Sequence, residues 1–211
     1  LTPIQLTIDR LKNKYSGQLK ENDIGSFKEN LMVINNQIKQ IENLVNEFSD
    51  FARMPKPVFQ KNNIVDLIKE NIKLSKELDN SIQINLSFNK KNIILNSDKE
   101  QVNRVFFNLI KNSIESIQQK LEKNVNIAKK IDIELLDHND HIDISIIDTG
   151  IGFDNLASDI KNILKPYFTT KKNGTGLGLS IVNKIINDHN GSIEFNPIKN
   201  GASIKIVLLK L

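Results

Sequence analysis

Cysteine and tryptophan are both missing from the 211 residues. Without cysteine there is no disulfide framework and no thiolate metal site, as expected of a chain from a reducing compartment. No apolar run approaches the ~20 residues needed to cross a bilayer, and no leader-like segment opens the chain. No Gly-Lys pair occurs anywhere, which removes a Walker P-loop. A strong charge of one sign is lacking too. The 29 Lys and Arg against 25 Asp and Glu leave a formal net charge of +4. The bases are scattered among acids and not interleaved with aromatics, so a nucleic-acid surface is not indicated.

What is present begins with a heptad. Leu1, Ile4, Ile8, Leu11 and Tyr15 recur at alternating spacings of three and four, the seam of a helix. Ser16-Gly17 and Gly25-Ser26 read as breakers of a polar loop. The spacing then resumes at Phe27, Leu31, Ile34, Ile38, Ile41, Val45, Phe48 and Ala52, and Pro55 and Pro57 close the helix. A hairpin with so narrow a seam buries it poorly alone. Two hairpins about a two-fold axis would form a four-helix bundle, so a homodimer is expected. The alternative is a monomeric hairpin lying on the rest of the chain.

From Val58 the pattern turns to mixed α and β. The spacing predicts a helix over Asn63–Leu78, a strand over Ile82–Phe88, and a long helix capped by Ser97 or Asp98 and ending near Leu121. Strands follow at Ile131–Leu136 and Ile142–Asp148, joined at Asp137-His138-Asn139-Asp140. A helix over about Thr175–His189 and strands near Ser192–Phe195 and Ser203–Leu209 complete a sheet with helices on one face. The fold class is thus α+β: a helical hairpin over 1–54, a linker at 55–57, and an α/β sandwich over 58–211.

Four segments of the second part carry chemistry. Asn108 and Asn112 lie four apart on one helical face, so two amide oxygens can serve one magnesium ion, although an Asn pair alone is usually solvated surface. Asp148-Thr149-Gly150-Ile151-Gly152 puts a carboxylate at a strand end above a tight turn. That suits an exocyclic amine such as adenine's, with glycines admitting a flat ring; a plain polar turn is equally open. Gly174-Thr175-Gly176-Leu177-Gly178 opens a helix, where amide donors and the dipole favour phosphate. What precedes it is not a strand and the spacing is wrong for a Rossmann turn. Pro166-Tyr167-Phe168-Thr169-Thr170-Lys171-Lys172 reads as a cover able to close over a triphosphate. His138 and His141 could form a metal pair, but no third ligand is evident, and a solvated turn is the plainer reading. His189 stands at a helix end.

The order and spacing of these segments resemble the nucleotide-binding fold shared by histidine kinases, gyrase B and MutL. The lead-in Asp98-Lys-Glu-Gln-Val102 and the ending Gly201-Ala-Ser-Ile-Lys-Ile-Val-Leu-Leu209 resemble sensor histidine kinases in particular. Thr2-Pro-Ile-Gln5, Asn112-Ser-Ile-Glu-Ser-Ile117 and Lys165-Pro-Tyr-Phe-Thr-Thr-Lys171 are similar to the NtrY-like nitrogen-regulation subgroup, from which Lys165 and Ser113 depart. The resemblance implies ATP and Mg2+ as cofactors, with Asn112 on the metal and Asn108 supporting it. It also implies Asp148, Gly150, Gly152 and Ser203 around adenine, Gly174, Thr175, Gly176, Leu177 and Gly178 around the phosphates, and Thr169, Thr170 and Lys171 in the lid.

It further implies that the phosphoacceptor histidine lies about six residues before Leu1, so that this chain would not label itself. A response regulator (NtrX-like) is the expected partner. The chain would be a cytoplasmic domain of a bacterial inner-membrane protein, touching the membrane only through other segments. Hydrolysing relatives usually carry Glu at the position of Asn108. Two other readings stay open, an ATPase module of the gyrase and MutL type and a non-catalytic dimeric docking module for a response regulator.

Overall fold

The computed structural model describes residues 2–18, 21–123, 127–153, 162–171 and 174–210. Leu1 of the heptad and Lys172 of the cover lie outside them. The described chain divides into two compact units, Leu1–Met54 with Thr170–Thr175, and Pro55–Thr169 with Gly176–Leu211.

In the first unit, α1 (Thr2–Tyr15) and α2 (Glu21–Ala52) form the hairpin. The helix α2 begins six residues earlier than the sequence suggests, running straight through Gly25-Ser26. Gly25 is exposed with nothing near its Cβ position, so the helix bears only the intrinsic cost of about 1 kcal/mol against alanine. Ile8, Leu31 and Ile38 are buried together with Phe27 against them. The rest of the seam is open, with Ile4, Leu11, Ile34, Ile41, Val45 and Phe48 all 40% exposed or more. No helix among the described residues is long and apolar enough to cross a membrane.

The second unit is built on a five-stranded sheet of order β2-β4-β5-β7-β6, made of β2 (Gln83–Phe88), β4 (Lys130–Asp137), β5 (His141–Asp148), β6 (Gly191–Ile198) and β7 (Gly201–Leu209). Only the β2–β4 pair is parallel. A separate antiparallel pair, β1 (Gln60–Asn63) with β3 (Ile94–Ser97), was not foreseen in the sequence. Three helices, α3 (Ile64–Ser75), α4 (Lys99–Lys123) and α5 (Gly178–Asp188), complete the unit, with α4 packed against both α3 and α5.

Alternation puts Ile131, Ile133 and Leu135 of β4, Ile142, Ile144 and Ile146 of β5, and Ile204, Ile206 and Leu208 of β7 on one buried face. Phe106, Leu109, Ile110, Ile114 and Ile117 of α4 and Ile181, Val182, Ile185 and Ile186 of α5 complete the core. Each such side chain contributes about 1.5–3 kcal/mol on burial. Helix starts are set by side chains. Asn63 caps α3 by accepting from the Val65 amide at 3.3 Å, and Asp98 Oδ1 accepts from the Gln101 amide at 3.0 Å at the head of α4.

Candidate functional site

Asp148 is the last residue of β5 and occupies the same face as the core isoleucines, so it is only 3% exposed. Burial pushes its carboxyl above the usual carboxylate range. The amides of Gly150 and Ala202, the hydroxyl of Ser113 and the Lys120 ammonium pull partly the other way. The Gly150 amide donates to Oδ1 at 2.9 Å, closing the turn. A buried carboxylate supported in this way is suited to accept from a ligand amine that replaces lost water.

The glycines around it are required by contact. A Cβ on Gly150 would meet Ser116 backbone at 2.7 Å, and one on Gly152, at φ +70°, would meet the Gly201 carbonyl oxygen at 2.4 Å. The turn is also held from α4. Ser116 Oγ accepts from the Ile151 amide at 3.1 Å. The Lys120 ammonium donates to the carbonyls of Thr149 at 3.0 Å, Gly150 at 2.8 Å and Asn200 at 3.4 Å. Neither α4 residue is among the site residues expected from the sequence, where Lys120 is one more lysine near a helix end.

Register corrects one assignment. In the β5–β7 ladder Asp148 pairs with Ala202 and Ile147 with Ser203. Paired residues share a face and successive residues alternate, so Ser203 points to the opposite side of the sheet from Asp148. Ala202, 4% exposed, is the β7 residue beside the carboxylate.

Asn108 and Asn112 are half-buried on α4. Asn108 Oδ1 lies 3.6 Å from the position a Cβ on Gly178 would take, so Asn108 and the head of α5 form one locality. That head has Leu177 as N-cap without a side-chain cap bond, and no acid in its first turn. An anion is therefore the complement its dipole lacks. Gly176, at φ +70°, could not bear a Cβ, which would meet Tyr167 carbonyl carbon at 2.5 Å. Its carbonyl accepts from the Tyr167 amide at 3.0 Å. Tyr167 is 55% exposed at φ 68°. Thr169 is exposed. Thr170, Lys171, Gly174 and Thr175 belong to the first unit, where Thr175 Oγ1 donates to Glu47.

Residues 97–211 match the family described as the histidine kinase-, DNA gyrase B-, and HSP90-like ATPases. An NtrY-like sensor histidine kinase of Rickettsia felis is 34% identical over 207 residues, which is 98% of this chain and 33% of that protein. The nitrogen regulation protein NtrY of Azorhizobium caulinodans is 35% identical over 211 residues, 99% of this chain and 27% of its own length. The chain thus spans about a third or less of these curated relatives. The catalytic domain of histidine kinase ThkA superposes with a TM-score of 0.62 at 28% identity, over 72% of this chain and 96% of that one. ThkA in complex with response regulator TrrA shares the fold over 99% of this chain and 58% of that one, with a TM-score of 0.73 at 23% identity.

The chain belongs to the histidine kinase-, gyrase B- and HSP90-like ATPase family. Within it, the second unit is a histidine-kinase catalytic domain, homologous to those of NtrY-like sensor kinases.

Proposed function

We propose that this domain binds Mg-ATP and passes its γ-phosphate to a histidine other than its own three, from which a response regulator receives it. The buried Asp148 carboxylate at the end of β5 carries the reading, because it supplies one acceptor of high specificity for an adenine amine. Asn112 would hold the magnesium with Asn108 supporting it. The head of α5, with Gly174 to Gly178, would receive the phosphates, and Thr169, Thr170 and Lys171 would cover them. Magnesium, when bound, would neutralise phosphate charge. This chain's own part is then positioning, the larger share of phosphoryl-transfer catalysis.

One further observation supports transfer over hydrolysis, and a second bears on which histidine would receive the phosphate. Asn108 offers an amide, which has no basicity with which to activate water. His138 and His141 sit at the β4–β5 turn and His189 caps α5, so none lies on the hairpin helices. The half-open heptad supports a dimeric four-helix bundle over 1–54, and with it the phosphotransfer role of that segment. The response regulator, NtrX-like by the subgroup, and attachment of a longer cytoplasmic chain to the bacterial inner membrane follow from the same kinship.

A second reading is an ATPase module, favoured by the breadth of the matching family, which includes gyrase B- and HSP90-like ATPases. One experiment separates the two. The chain is incubated with γ-labelled ATP and magnesium, alone and with a hairpin that carries His-Glu-Ile-Lys-Asn-Pro ahead of residues 1–54. Acid-labile label on the added hairpin, with little free phosphate released, is the expected result. Brisk release of phosphate with no label would establish the ATPase reading instead.

A further inference from the structure

At the end of β5 remote from Asp148, three metal-ligating side chains converge. His141 and Asp143 are two apart on one strand and therefore share the face of the sheet turned away from the helices. His138 joins them from the turn, its ring stacked on that of His141 at 4.5 Å between centroids. One ligand atom from each of the three lies within 4.8 Å of the others. His141 Nε2 is 3.6 Å from Asp143 Oδ1, and His138 Nε2 is 3.9 Å from Asp143 Oδ2.

The hydrogen bonding decides what this cluster is built to hold. His141 Nδ1 meets Asp140 Oδ1 at 2.7 Å. With the ring proton on Nδ1, donated to that carboxylate, Nε2 would turn its lone pair toward the oxygen of Asp143. In that tautomer two acceptors face each other beyond hydrogen-bond distance, with a second imidazole nitrogen alongside. Carboxylate, imidazole and vacant inner nitrogen is the arrangement by which proteins orient histidine toward a metal. Ligand atoms around tetrahedral zinc stand roughly 3.3–3.5 Å apart, given bonds of about 2.0–2.2 Å, so small side-chain rotations would close the set. Two imidazoles and one carboxylate suit zinc-class ions, whereas magnesium and calcium prefer oxygen alone.

We propose that His138, His141 and Asp143 form a binding site for one zinc-class divalent ion, with Asp140 orienting His141 and the metal fastening the β4–β5 hairpin. The site is separate from the nucleotide site. Along β5 the seven steps from His141 to Asp148 cover roughly 23 Å at about 3.3 Å per residue. Lys205 is the built-in competitor, its ammonium 2.9 Å from Asp143 Oδ2.

Calorimetric titration of the whole chain with Zn2+, and separately with Mg2+, tests this. One equivalent of Zn2+ should bind, with Mg2+ failing at this site. The double variant His138→Ala, His141→Ala should lose that binding, and Asp140→Asn should weaken it about 10- to 100-fold. Lys205→Met should tighten it by freeing Asp143, a gain that loose surface adsorption would not show. Circular dichroism without metal establishes that each variant is folded, the changed residues being on the surface. Zinc binding that persists in the double variant, or wild-type chain that takes up no zinc, overturns the proposal.

Discussion

The backbone amide of Asp98 donates to Nε2 of His189 at 3.0 Å, across 91 residues of chain. His189 Nδ1 in turn meets the Ile185 carbonyl at 2.8 Å, and the ring is 4% exposed with Phe59 edge-on at 5.1 Å. One imidazole therefore joins the head of α4 to the tail of α5, the two helices that carry the Asn pair and Gly178. Replacing His189 by Ala should destabilise the second unit by about 1–3 kcal/mol, since the part-buried Asp98 amide loses its partner, whereas the Ile185 carbonyl keeps the backbone amide of residue 189. Urea unfolding measures this. A change within a few tenths of a kcal/mol would mean that water replaces the ring without loss.

Asp98 adds an acid limit. Burial alone would raise its carboxyl, but the amides of Gln101, Val58 and Glu100 outweigh that and hold it below the ordinary 3.8. With the folded value depressed, its stabilisation is complete above about pH 4 and is lost as pH falls through the lowered value. Asp98→Asn should flatten that part of the acid unfolding curve while lowering stability at neutral pH.

Asp148 has the opposite sign. Its folded value is raised by burial, so in the ligand-free domain its stabilising effect is present below the ordinary 3.8 and fades as pH rises through the raised value. A ligand amine needs the ionised form, so ATP affinity should increase with pH across the same interval. Asp148→Asn should lower affinity by about 10- to 150-fold, the equivalent of a charge-assisted bond of about 1.5–3 kcal/mol, and remove the pH dependence. Calorimetric titration at several pH values is the check, and unchanged affinity would take Asp148 out of the site.

Three glycines should behave differently. At Gly201, φ is 155° and a Cβ would come 1.7 Å from the Asp148 carbonyl oxygen, so Gly201→Ala should cost about 1–3 kcal/mol through strain. Gly150→Ala should also destabilise, by forcing the turn off α4. At Gly178 the nearest atom is Asn108 Oδ1 at an ordinary 3.6 Å. Gly178→Ala should therefore keep wild-type unfolding behaviour and weaken only nucleotide binding.

The hairpin prediction concerns Ile34 and Ile41, 44% and 52% exposed. Ile34→Asp with Ile41→Asp should turn dimers into monomers that still bind nucleotide, because unpaired charge would be buried in a bundle seam. Light scattering reads the outcome. A double variant that remains dimeric would refute the seam assignment.

Much of this was legible because local rules and tertiary packing agree. Asp148 could be picked out as a strand-end carboxylate before a glycine turn, and α4 and β5 announced themselves by period. The misses come from long-range geometry. Ser203 is placed near adenine by resemblance alone, and the register that sets Ala202 beside Asp148 emerges only from the strand pairing, where a shift of one residue flips a side chain across the sheet. Gln60-Lys61-Asn62-Asn63 pairs as a strand although it has no apolar alternation. Asp143 could not be joined to His138 until the turn folded back. Gly25 reads as a breaker, yet an exposed helical position tolerates it.

The clamp by Lys120 has a consequence for how this site withstands substitution. Its three acceptors are main-chain carbonyls of Thr149, Gly150 and Asn200, and every residue type supplies a carbonyl. Exchange of the side chain at 149 or 200 leaves the anchor's acceptors in place, whereas exchange at 120 for a residue without a long cationic donor removes all three bonds at once. Mutational tolerance is thus lopsided. A saturation scan should find Lys120, a helix-surface lysine by sequence, among the least replaceable positions of the nucleotide site, with Asn200 among the most permissive.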